Sequence, residues 1–153
     1  MTNTGTATQP APARQSRQIS ALRGASLGAL VMLIVQFGLG TAVNLYVKLP
    51  ATGKASQAFS HGPVLVLHVL LGLLLVVTAV TLLVRAIIAR HGPVIAAAAV
   101  GLVAIAAAAT QGFSFVSKGT NAASLAMAIA TGVAMLCYAT ALAVLRAPGG
   151  QRD

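Results

Sequence analysis

Apolar positions in this chain come in long blocks with short polar breaks between them. The blocks cover about residues 21–47, 63–88, 93–116 and 122–145. Crossing the hydrocarbon core of a membrane takes about 20 apolar residues in helix, and each block is at least that long. Lipid offers no partner to free backbone amides and carbonyls, so each block is predicted to be a helix. The expected fold is all-α: a polytopic membrane protein whose residues 20–147 form an antiparallel four-helix transmembrane bundle. Residues 1–19, rich in Thr, Ala, Pro and Gln and without apolar period, are predicted to be a disordered tail. Residues 148–153 make a short C-terminal tail. The first block has full membrane length and no small-residue cleavage signature, so it reads as a span and not as a secretory signal.

Both middle blocks open on one tetrapeptide, His61-Gly62-Pro63-Val64 and His91-Gly92-Pro93-Val94. Proline at the first helical position needs no amide partner and presets the backbone angle, so the repeat reads as two helix starts. Successive spans reverse direction, which puts the two copies at opposite ends. His61 and His91 are therefore expected to be exposed loop histidines and not one paired ligand site.

Composition agrees with the pattern and adds an orientation. Of 153 residues 58% are hydrophobic and only 7% charged, with mean hydropathy +0.90; soluble domains carry about 25% charge. The net charge is +9, with Asp153 the single acidic residue. Such an excess can mark a nucleic-acid binder, but here the cations cluster at span ends and no basic face with interleaved aromatics exists, so a role at anionic lipid is expected instead. Arg14, Arg17, Arg23, Arg85, Arg90, Arg146 and Arg152 fall on one side, against Lys48, Lys54 and Lys118 on the other. The positive-inside rule then predicts cytoplasmic N and C termini in a multi-pass protein of the inner (plasma) membrane, with the longest loop, about residues 48–62, facing out. The lone Cys137 cannot form an intramolecular disulfide and reads as a thiol packed between helices. Small residues crowd the third and fourth blocks, among them Ala98, Gly101, Ala104, Ala130 and Ala134, and small residues let membrane helices approach closely.

Polar side chains inside spans are costly and by default have a partner or a task. Gln36, Gly40 and Asn44 recur every four residues and share a helix face. His68 lies about five residues into the second span and Gln111 about five from the end of the third, both roughly 7 Å below the outer boundary. Asn44, Ser114, Asn121 and Ser124 fall at or above that level and Gln36 and Met127 deeper, so, with Gly40 and Gly72 leaving room, a polar cluster is predicted in the outward half. One reading makes these residues interhelical glue. The other makes the cluster a haem- or quinone-type pocket, with His68 an axial ligand to haem iron and Met127 a candidate for the sixth position. With one carboxylate in the chain, no acid pair, Ser/His/Asp set or carboxylate metal site can be assembled, which argues against hydrolysis and against a carboxylate proton relay.

Gln36-Phe37-Gly38-Leu39-Gly40, Val43-Asn44-Leu45, Leu49-Pro50, Leu67-His68-Val69 and Gly72-Leu73-Leu74 together resemble one half of the haem A synthase family, over about residues 35–77. That family is built of two four-helix halves. Its helix pairs carry a Gln-x-x-x-Gly stretch, a Leu-Pro before the next helix and a histidine near that helix's outer end. The resemblance implies that His68 is the haem ligand, in a pocket that includes Gln36, Gly40, Asn44, Gly72 and Gln111. This chain departs from the family in being a single half, in lacking a histidine on the fourth helix, and in lacking the loop cysteine pair of many members. Those departures argue against catalysis and for a small relative that binds haem, acts as a homodimer or with a haem-biogenesis or respiratory partner, or keeps only the scaffold. Gln111–Phe115, QGFSF, and the high Ala, Gly, Arg and Val usage are similar to small four-helix membrane proteins of high-GC, actinobacterial-type bacteria. A structural or assembly subunit is the competing expectation. A small-solute transporter is a third, and the apolar inner halves of the spans argue against it.

Overall fold

The computed structural model describes residues 11–46, 63–118 and 120–146. Among the described residues there are four helices: α1 (Ala11–Tyr46), α2 (Pro63–Ile88), α3 (Gly92–Lys118) and α4 (Asn121–Arg146). Each contains a stretch long and apolar enough to cross a membrane. The 26 residues of α2 or α4 extend about 39 Å, enough for the hydrocarbon core and part of both interfaces. The outer surface agrees, since large apolar side chains such as Leu73, Val103, Phe113 and Leu136 are 64–75% exposed on three different helices. Water does not tolerate an apolar surface this continuous, and lipid does.

The helix limits match the predicted ones to within three residues except at the start. There α1 begins at Ala11, so residues 11–19, expected as part of a disordered tail, are helical. The reason is local: Pro12 sits in the first turn, where its missing amide costs nothing, and Ala, Arg and Gln propagate a helix that the span behind them has already nucleated. The predicted loop around Lys48, Lys54 and His61, residues 1–10 and residues 147–153 lie outside the described residues, as does the Leu49-Pro50 pair.

Each helix packs against two others: α1 against α2 and α4, and α3 against α2 and α4, with α3 and α4 in the most extensive contact. Buried positions explain the packing. Leu22, Ser26, Ala29 and Leu33 on α1, Leu75, Ala79, Leu82 and Ala86 on α2, and Thr131, Ala134, Tyr138 and Ala141 on α4 recur at alternating steps of three and four residues. That spacing averages 3.5 residues, the period that keeps one seam facing a partner when helices pack at a shallow angle. Threonines off the seam bond to their own backbone: the Thr41, Thr81 and Thr140 hydroxyls donate to carbonyls four residues back at 2.8–2.9 Å, which lets them lie on the outside without an unmet donor.

The α2–α3 turn is tight. His91 N–H donates to the Ala86 carbonyl at 3.2 Å and Arg90 N–H to Ile87 at 3.0 Å, a Schellman closure in which Arg90 takes the left-handed conformation, φ 54°. The His91 carbonyl then accepts from Ile95 N–H at 3.0 Å, so one residue ends α2 and starts α3. His91 is consequently half-buried, with its Nδ1 sealed off and unpaired, and not the exposed loop histidine expected from the sequence.

The core is divided. A large cluster, centred on Leu22, Leu33, Leu82, Val94 and Tyr138, fills the end where α1 starts and α4 finishes. A small cluster of Val43, Leu65 and Val116 stands at the other end. Between them the helices do not close on one another.

Candidate ligand cavity around His68 and Gln36

A cavity of about 510 Å³ occupies that gap, walled by side chains from all four helices. Leu33, Leu75, Ile105 and Thr131 lie toward the large core, and Val43, Leu65 and Val116 toward the opposite end. Its volume falls in the range of small-molecule and cofactor pockets, about 300–1,000 Å³, and its walls are predominantly apolar, as in such pockets. Small residues create it: Gly40, Gly72, Ala108 and Gly112 stand where larger side chains would fill the space.

The polar corner is built from α1 and α2. Gln36 Nε2 donates to the backbone carbonyl of His68 at 2.9 Å and lies 3.3 Å from the ring nitrogen Nε2 of the same residue. A carbonyl only accepts, which fixes the amide's NH2 end on that side. Its second N–H then meets imidazole Nε2 as acceptor, leaving the ring proton on Nδ1. That nitrogen is buried without a partner, as is Gln36 Oε1. The two glycines are what permit this approach: a Cβ at Gly40 would stand 3.1 Å from His68 Cε1, and one at Gly72 would stand 3.0 Å from Gln36 Nε2. The pair thus ties α1 to α2 and leaves one donor and one acceptor unmet, each a penalty of about 1–3 kcal/mol in an apolar setting unless something binds there.

No protein-family model matches the chain, and no curated protein or solved structure matches it significantly. The site is therefore read from its own geometry. Of the six residues predicted for it, Gln36, Gly40, His68 and Gly72 come together as the spacing implied, and Asn44 lines the cavity from an exposed position near the end of α1. Gln111 does not join them. It is half-buried outside the cavity lining, and its neighbour Gly112 faces in instead, because one helical step turns a side chain by about 100°. Ser114 is likewise off the wall, while Ser124 and Met127 are on it.

The sequence reading missed Phe37, Phe113, Phe115 and Thr131 as wall residues. Thr131 could have been found, since it follows Met127 by one turn on the same face; its hydroxyl donates to the Met127 carbonyl at 2.8 Å. The phenylalanines carried no signal, because an aromatic on an apolar helix faces lipid as readily as a cavity. Among the described residues no cluster of three or more His, Cys, Asp or Glu is placed to hold a metal ion.

Met127 lies across from Gly112, where an added Cβ would be 3.6 Å from its sulfur, an ordinary contact. Gly112→Ala is accordingly expected to leave stability unchanged or raise it by up to about 1 kcal/mol, the helix-propensity difference between the two residues. Thermal unfolding in detergent measures it, and a marked loss would show that the α3–α4 spacing at this level is closer than described.

Proposed function

We propose that this chain is a bacterial inner-membrane protein, a four-helix antiparallel bundle with cytoplasmic termini, that holds haem in the cavity beside His68. In this reading it serves an accessory role in haem or respiratory-chain biology, alone, as a homodimer or beside a haem-biogenesis partner. The observation that carries it is the conjunction of a 510 Å³ apolar cavity with a half-buried imidazole and amide on its wall, each with one polar atom sealed off and unpaired. The described arginines Arg17, Arg23, Arg85, Arg90 and Arg146 fall at the opposite end from the cavity, which supports the cavity's being in the outward half.

The residues fit a haem held by one imidazole. His68 would hold it through Nε2 once the Gln36 amide withdraws, a rearrangement that breaks a bond worth about 0.6 kcal/mol in a membrane interior. Met127 lines the same cavity, and its thioether would be a second side chain able to hold the group. Bound haem would supply one-electron or oxygen chemistry at its iron. The protein's own part is to exclude water with Leu33, Leu75 and Ile105 and to hold the α2 backbone at His68 through the bond from Gln36 to its carbonyl. With a single carboxylate in the whole chain, no residue set for hydrolysis is present.

A second reading is favoured by a specific observation: imidazole Nε2 already has a partner. On it the Gln36–His68 pair is a clamp between α1 and α2, and the protein is a structural or assembly subunit. Titrating detergent-purified protein with haemin separates the two. A saturable Soret band at one haem per chain or per dimer is expected; a protein that stays colourless after haemin is removed on a desalting column is the clamp alone.

A further inference from the structure

The far end of the molecule holds a second recess, independent of the haem reading. Between the start of α1 and the end of α2 lies a groove of about 210 Å³ lined by Gln18, Ala21, Leu22, Arg85, Ile88 and Ala89. Its lining is mainly apolar, with Arg85 and Gln18 supplying the polar groups. Ile88 is 68% exposed and Leu22 is 2% exposed, so the groove runs from the surface down to the core. Arg17 precedes Ala21 by one turn and so stands on the same face of α1. Arg23, Arg90 and Arg146 belong to the same end, and all five arginine side chains are exposed. No Asp or Glu is among the described residues, the chain's one acidic residue being Asp153.

We propose that this groove is a binding site for an anionic phospholipid, its phosphate against Arg85 and the upper part of an acyl chain along Ala21, Leu22 and Ala89. Two features select this ligand. A cation at the mouth with no carboxylate among the described residues to neutralise it calls for an anion, and the ends of the spans are where a bilayer places its phosphates. An apolar floor in continuity with the lipid-facing sides of α1 and α2 calls for hydrocarbon on the same molecule, which a free phosphate lacks. Arg suits the contact better than Lys, because its planar fork gives two parallel hydrogen bonds to phosphate oxygens.

The test uses the full chain, delipidated in a neutral detergent, with lipid binding read by native mass spectrometry. Phosphatidylglycerol, phosphatidylcholine of the same chain length, and glycerol 3-phosphate are the probes. Expected is preferential retention of phosphatidylglycerol, weakened about fivefold in Arg85→Gln and by less than that in Arg85→Lys, which retains the charge but loses the two-pronged contact. Arg146→Gln, on α4 outside the groove, leaves it unchanged. Equal retention of the two lipids, equal loss in Arg85→Gln and Arg146→Gln, or binding of glycerol 3-phosphate as tight as that of the lipid would each overturn the proposal. The haemin titration does not report on this groove, so either reading can fail alone.

Discussion

Gly101→Ala is expected to destabilise the protein by about 1–3 kcal/mol, the usual cost of overfilling a packed interior. A Cβ at that position would stand 2.9 Å from Tyr138 Cζ and 3.1 Å from its hydroxyl oxygen. Tyr138 is fully buried among Leu82, Val94 and Ala134 in the large core, so the ring has nowhere to turn. The backbones of α3 and α4 would have to part, in the pair that packs most extensively. Tyr138→Phe keeps the carbon that clashes and should not rescue the variant. Tyr138→Leu removes it and should recover most of the loss. Denaturant unfolding in mixed micelles, run as a double-mutant cycle, gives the coupling; additive effects of Gly101→Ala and Tyr138→Leu would mean that the two residues do not touch. Tyr138→Phe has its own interest, since the hydroxyl it deletes is buried and unpartnered and its removal should be close to neutral.

The second large effect concerns ligand binding. His68→Ala is expected to abolish the haem complex, since even a coordination bond worth about 3 kcal/mol amounts to more than a hundredfold in affinity. Alone, that result would leave open a collapse of the α1–α2 contact. Gln36→Met resolves it, because it has similar length, keeps the space beside Gly72, and deletes both hydrogen bonds to residue 68. If His68 is a ligand held in check by Gln36, this variant binds haemin about threefold more tightly, the equivalent of one released bond of about 0.6 kcal/mol. If the pair is only a clamp, neither protein binds haemin and both lose stability by similar amounts. Optical titration and unfolding of the same two samples decide between these outcomes.

Much of this site was legible because polar residues and glycines are rare enough in spans for their spacing to carry information. Gln36 and Gly40 one turn apart, with His68 and Gly72 one turn apart on the next helix, imply matching faces, and those faces do meet. Gln111 misled for the same reason that the others succeeded. Depth along a helix can be counted from a boundary, but direction around it needs a second marker on the same face. On α3 the markers are alanines, which occur all round: Ala98 is buried while Ala96 and Ala106 are exposed. His91 shows a different limit. Its burial follows from the left-handed turn at Arg90, which no residue type at that position announced, glycine being the usual choice there.

The sequence alone determined the membrane as solvent, the four helices and their approximate limits, and the depth at which Gln36 and His68 lie, because hydropathy and the hydrogen-bonding needs of the backbone act within each segment. Tertiary structure decided which apolar face is core and which meets lipid, where the seams fail to close and leave a cavity, and that Tyr138 fits against Gly101. In a membrane both faces of a helix are apolar, so the contrast that marks the inside of a soluble protein is missing. Only the shapes of the packed side chains tell one face from the other.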